Sequence, residues 1–221
     1  MQKFDTPAPI LAVLDVPAGR IQFIAADRTD TTVEVLPANA SKSRDVKAAE
    51  QTEVAYADGV LRITAAAPSS QLFGPIGSLE LTVKLPAGSR IQAKAAAAEL
   101  RTVGRLGDVV FDGAYRQIKI DEAASLRLTA ADGDVEIGRL TGPAQISTAR
   151  GDIQVAEATR GTVVLSTQSG DITIAAAAGI SATLDAGTSH GRITNTLKNH
   201  GTPGLDIRAT TSQGDITAHS L

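Results

Sequence analysis

The sequence predicts an all-β fold: a stacked β-strand repeat array, β-solenoid or β-helix-like, of about seven rungs of about 18–23 residues, with an N-terminal antiparallel β cap and one short helix. Three observations carry this prediction. A Gly-Asp-Val/Ile triplet returns at Gly107-Asp108-Val109, Gly133-Asp134-Val135, Gly151-Asp152-Ile153, Gly170-Asp171-Ile172 and Gly214-Asp215-Ile216. Apolar-x-apolar triplets fall in register between these punctuation marks, as strands with one buried face require. The third is the kind of core on offer: hydrophobic residues make up 43% of the chain but aromatics only 3%, and Trp is absent, so Ile, Val, Leu and Ala must fill it.

Taken in chain order, residues 1 to about 90 lack the Gly-Asp period but still alternate, over Ile10–Leu14, Ile21–Ala25, Thr32–Leu36, Glu53–Ala57, Val60–Ala65 and Leu79–Leu85. These read as antiparallel strands of a cap, domain 1–90, which covers one end of the array because an open end would expose unpaired strand edges. Good helix formers at about 41–51, from Ser41 to Gln51, predict the short helix. Pro68–Gly77, rich in Pro, Ser and Gly, predicts a loop. Similar turn-then-strand passages at Pro17-Ala18-Gly19-Arg20-Ile21 and Pro86-Ala87-Gly88-Ser89-Arg90-Ile91 leave open that the cap is a divergent start of the same stack.

Domain 91–221 is the stack itself. First strands begin at Ile91, Val109, Leu126, Ala144, Val163, Ala182 and Leu205, and second strands at Leu100, Ile118, Val135, Ile153, Ile172, Ile193 and Ile216. The offset between them is nine residues in five rungs and eleven in the last two. Aligned this way, one inward column runs Phe111, Leu128, Ile146, Leu165, Leu184, Ile207 and the other Ile118, Val135, Ile153, Ile172, Ile193, Ile216. Outward neighbours are mostly polar, and Leu197–Gly204 reads as a loop on one edge.

Several function classes are excluded or disfavoured. A net charge of −3 with dispersed Lys and Arg lacks the basic footprint of a nucleic-acid binder. No stretch approaches a membrane span, no signal peptide is evident at the N-terminus and no cysteine is present, so the expected localisation is cytoplasmic, without membrane insertion. No cofactor is implied. The candidate ligand or cation edge is the column Asp134, Asp152, Asp171 and Asp215, with Arg192 expected between Asp171 and Asp215 as a charge balance. Carboxylates one rung apart repel, but a hard cation wants six or more oxygens, so turn capping is the favoured role and no metal site is assigned. A candidate hydroxyl face is formed by Thr173, Thr194 and Thr217, a flat row able to meet a glycan, with Thr129, Ser147 and Ser166 along the other strand. His190, His200 and His219 lack zinc spacing, and no serine lies in a nucleophile elbow, so no catalytic residue is assigned.

Phe4-Asp5-Thr6-Pro7, Asp27-Arg28-Thr29-Asp30 running to Val33-Glu34-Val35, the turn Leu85-Pro86-Ala87-Gly88-Ser89-Arg90 and the recurrent Gly-Asp-Val/Ile together resemble a bacterial β-strand-repeat domain of unknown function labelled a candidate adhesin, in its actinobacterial form. The resemblance covers nearly the whole chain and implies a stacked β architecture with no defined catalytic motif. Ser189-His190-Gly191-Arg192 departs from it where a Gly-Asp is expected. The leading expectation is a non-enzymatic β-repeat scaffold or adhesin-like interaction protein that binds a protein partner, or itself, through a terminal rung ending at Ile216–Leu221. The alternative is an enzyme or binding module for a glycan or small metabolite in a groove between cap and stack.

Overall fold

The computed structural model describes residues 1–65, 77–113 and 117–221; the loop expected over Pro68–Gly77 lies outside them apart from Gly77. In order come β1 (Gln2–Asp5), β2 (Leu11–Ala26), β3 (Asp30–Pro37), α1 (Ser43–Glu50), β4 (Glu53–Ala57), β5 (Val60–Thr64), β6 (Leu79–Pro86), β7 (Arg90–Asp112) and β8 (Ile118–Asp132). Shorter strands follow: β9 (Val135–Leu140), β10 (Ala144–Arg150), β11 (Ile153–Ala158), β12 (Gly161–Ser169), β13 (Ile172–Ala176), β14 (Ala182–His190), β15 (Ile193–Thr196), β16 (Leu205–Gln213) and β17 (Ile216–Ser220). The described strands join into one 17-stranded sheet, wound as a β-solenoid-like stack. From β9 onward each rung gives one strand to each of two faces, whereas the long strands β2, β7 and β8 run from one face into the other, and the inward side chains of both faces share one aliphatic core.

Parallel in-register pairing sets like residues on like. On one face Val135, Ile153 and Ile172 stand in line, each at most 1% exposed, and on the other Leu128, Ile146 and Leu165 do the same. Each fully buried Ile or Leu contributes roughly 1.5–3 kcal/mol, so the columns are the main source of stability. The cost of repeating them is modest because the same alternation keeps Lys119, Glu136, Gln154 and Thr173 facing outward.

The N-terminal segments differ from the expectation in pairing direction. Strands β1 and β3, β3 and β6, and β4 and β5 are antiparallel, whereas β2 is parallel to β5, β6 and β7. The segments Ile10–Leu14 and Ile21–Ala25 belong largely to the single strand β2, which stacks on β7 from Leu11↔Arg90 to Ile24↔Val103. Alternation reports which face of a strand is buried; it carries no information on pairing direction. Helix α1 packs beside β3 and β6, and its buried Asp45 accepts a hydrogen bond from the Ser78 N–H at 3.0 Å.

Chain order and spatial order part at the C-terminal end. Strand β16 pairs with β12 on one side and β14 on the other, and β17 lies likewise between β13 and β15. The last rung in sequence is therefore internal, and the rung at the end of the stack is β14–β15. The expectation of a terminal rung at Ile216–Leu221 is corrected accordingly: Ile216 is 0% exposed. The first-strand register of these two rungs is also shifted by two residues, since Val163 opposes Ile207 and Leu165 opposes Ala209, which opposes Ala186. Hydrogen bonds at the Gly-Asp turn hold the rungs together, so the two extra residues project before the start of the column.

Candidate functional site

Four of the five Gly-Asp pairs form one kind of turn. Gly107-Asp108 is the exception and lies inside β7, where the Asp108 carboxylate accepts a hydrogen bond from the Ser125 hydroxyl at 2.6 Å. At the other four the glycine has a positive φ, 151° at Gly170 for example, a conformation that residues with a side chain rarely adopt. A Cβ on Gly170 would overlap the carbonyl oxygen of Gly151 in the rung beside it.

The aspartates hold the turns to one another. The N–H of Asp152 donates to Asp134 Oδ1 at 3.0 Å, that of Asp171 to Asp152 Oδ1 at 2.8 Å, that of Asp215 to Asp171 Oδ1 at 2.7 Å, and that of Arg192 to Asp215 Oδ1 at 2.8 Å. Asp134, Asp152, Asp171, Asp215 and Arg192 are thus brought together in that order. Arg192 closes the column instead of standing between Asp171 and Asp215, and its guanidinium approaches Asp215 Oδ2 at 3.6 Å. The arrangement is a hydrogen-bond ladder in which each carboxylate spends one oxygen on the neighbouring backbone. Among the described residues no three Asp, Glu or His side chains converge as a metal cage would require.

A second ladder escaped the sequence reading. The hydroxyls of Thr167, Thr211 and Thr188 donate to the carbonyls of Gly151, Gly170 and Gly214, each in the next rung, at 3.0–3.1 Å. The signal was available as Thr-x-x-Gly, with the threonine three residues before the turn glycine at an inward position.

The outward hydroxyls assemble as Thr173–Thr217–Thr194, with Thr217 in the middle. Further along this face Lys119 Nζ meets Glu136 Oε2 at 2.6 Å, and this hydrogen bond holds the Glu136 carboxyl below its ordinary pKa. A cleft of about 340 Å³ lies between the segment leading into α1 and the strands β2, β6 and β7. Its Arg20 bridges Glu80 at 3.3 Å and Glu99 at 3.4 Å, Arg44 approaches the buried Asp45 at 3.6 Å, and Lys42 stands at the rim.

The end rung has a different character. Ile193 is 46% exposed although its column neighbours Ile216 and Ile172 are fully buried. Next to it Asn195 occupies the inward position that Ala218, Ile174 and Val155 hold in successive rungs. A polar residue in an aliphatic column marks a rung covered on one side only, and this was the legible sign that β14–β15 ends the stack.

Residues 13–220 match the family Toastrack DUF4097. The chain belongs to this family. No curated protein matches the chain. Among solved structures, a protein described as a candidate adhesin from Bacteroides fragilis NCTC 9343 aligns at 16% identity over 98% of this chain and 95% of its own, with a TM-score of 0.58, which shows the shared fold. One described as a candidate cell adhesion protein, from Clostridium sporogenes ATCC 15579, aligns at 11% identity over 100% and 98% of the two chains, with a TM-score of 0.42. The Toastrack chain has, among its described residues, no helix long and apolar enough to cross a membrane.

Proposed function

We propose that this Toastrack chain is a non-enzymatic interaction scaffold that engages a protein partner through the open end of its stack, with residues 1–90 capping the opposite end and residues 91–221 forming the presenting stack. The observation that supports the reading is the β14–β15 rung, whose strands pair on one side only among the described residues and leave Ile193 46% exposed. An unpaired strand edge presents a row of N–H and C=O groups at fixed spacing, and a partner strand gains those bonds together with the half-covered aliphatic surface. In this reading the Asp column and the Thr173–Thr217–Thr194 row keep the rungs in register and solvated. The absence of cysteine suits a cytoplasmic setting.

The test is affinity capture with tagged protein from cytosolic and membrane fractions of the native host, comparing wild type with Ile193→Asp. A partner held by wild type and lost by the variant, with an unchanged circular dichroism spectrum, supports the reading; identical captures by the two proteins overturn it. Ile216→Asp serves as a folding control, because it places a charge in the closed core.

A second reading rests on the cleft beside Arg20. A glycan or small polar metabolite would meet the mixed Arg20, Lys42, Arg44 and Asp45, Glu80, Glu99 lining there, and thermal-shift screening of sugars and small metabolites against wild type and Arg44→Ala tests it.

A further inference from the structure

We infer that the occupant of the open end is a second copy of this chain, joined about a two-fold axis that passes through Ala186 so that the two β14 strands run antiparallel. This rests on the open-end reading above and names its partner. Three observations on the molecule lead to it.

First, among the described residues β14–β15 is the rung whose parallel strands lack a neighbour on one side. The far end beyond β5 and β6 is covered by the antiparallel strands β3 and β4, with β1 outside β3. The edges left at that end, β4 and β1, are only five and four residues long, so head-to-tail addition finds no matching nine-residue edge there and association through β14 closes at two copies by an isologous contact.

Second, the edge carries little of the protection that keeps sheet edges apart. Across the nine residues of β14 and the four of β15 there is no Lys, no Pro and a single carboxylate, Asp185.

Third, the strand is self-complementary. Ala186 is the midpoint of Ala182–His190, and antiparallel pairing about it keeps inward residues facing inward ones, because positions related by the axis have the same parity. Leu184 then lies opposite Thr188 of the other copy, and Asp185 lies opposite Gly187. Moving the axis to Asp185 would set two carboxylates against each other, which is destabilising across strands. At Gly187 the surface is open, with nothing within 4 Å of where a Cβ would stand, so the opposing Asp185 meets no steric obstacle. The half-buried Leu184 and Ala186 gain the cover that every internal rung receives.

The test uses the full chain, whose lack of cysteine makes an introduced thiol unambiguous. Directly opposed Cα atoms in an antiparallel pair stand about 4.5–5.5 Å apart, within disulfide reach. Ala186→Cys should therefore oxidise to a covalent dimer. Thr183→Cys should not, since its copy would lie six residues away along the partner strand. Sedimentation equilibrium of wild type should show reversible association to twice the 22.7 kDa chain mass. Gly187→Asp, which sets like charges opposite Asp185 at both ends of the pairing, should weaken association by at least about tenfold. Gly187→Lys should strengthen it. Monomer at every concentration, or equal cross-linking through positions 183 and 186, or the same direction of shift for both Gly187 variants, overturns the assignment. Those outcomes leave the open-end reading to its own test, because loss of a captured partner in Ile193→Asp does not depend on self-association.

Discussion

The role of the aspartate column can be decided by replacing Asp171, an internal member bonded to the rung on either side. Its carboxylate accepts the Asp215 N–H at 2.7 Å, and its own N–H is held by Asp152. Neighbouring carboxylates a rung apart, about 4.8 Å, repel by roughly 0.9 kcal/mol each in water, and physiological salt reduces this to about half. Two neighbours thus cost Asp171 about 1 kcal/mol. Against this stands one hydrogen bond to a charged acceptor, which on a solvated turn contributes about 1–2 kcal/mol. Asp171→Asn keeps the oxygen acceptor and removes the repulsion, so it should leave stability unchanged or raise it by about 0.5 kcal/mol. Asp171→Ala removes both and should fall below Asn by about 1 kcal/mol, or about 2–4 °C in melting temperature for a chain of this size. Both substitutions delete the same charge, so their difference isolates the acceptor. Thermal melts followed by circular dichroism, with and without millimolar calcium, provide the measurement. Equal melting temperatures for Asn and Ala would refute the ladder as a stabilising device. A calcium-dependent rise in wild type that Asn abolishes would instead establish a cation edge, since a ligand that binds the folded state raises its stability.

Three further outcomes are expected. Gly170→Ala should cost about 3 kcal/mol or more in urea unfolding, because a Cβ there overlaps the Gly151 carbonyl at φ 151°, while Gly204→Ala, which meets nothing within 4 Å, should be close to neutral. Thr102 is 2% exposed and its hydroxyl has no hydrogen-bond partner among the described residues, so Thr102→Val should stabilise the protein by about 1–2 kcal/mol; a lower melting temperature would show that the hydroxyl is satisfied. The Lys119 hydrogen bond lowers the Glu136 pKa, so the pair's contribution is complete above the unfolded carboxylate value and is lost as pH falls through the lowered folded one. The melting-temperature gap between wild type and Glu136→Gln should accordingly be small at neutral pH, as befits a partly exposed pair, and vanish in acid; a gap that widens in acid would contradict the assignment.

The amino-acid sequence by itself determined whatever depends on a few neighbouring residues. Alternation at period two placed Ile153, Ile172 and Ile216 inward and Thr173 and Thr217 outward, and a two-residue shift of register leaves these faces intact. The turns at Gly151, Gly170 and Gly214 were legible because a tight corner demands a conformation that glycine alone adopts freely. Only the tertiary structure decided which rung touches which. Rungs built on the same Thr-x-x-Gly-Asp-Ile pattern offer nearly equivalent surfaces to one another, and the return through Leu197–Gly204 is inexpensive because closure entropy grows only logarithmically with loop length. What broke the degeneracy was burial. Leu205, Ile207, Ala209, Ile216 and Ala218 are fully buried when covered on both sides, whereas Asn195 and Gly187 lose less at an end, so the last rung in the chain moved inside and β14–β15 became the exposed edge.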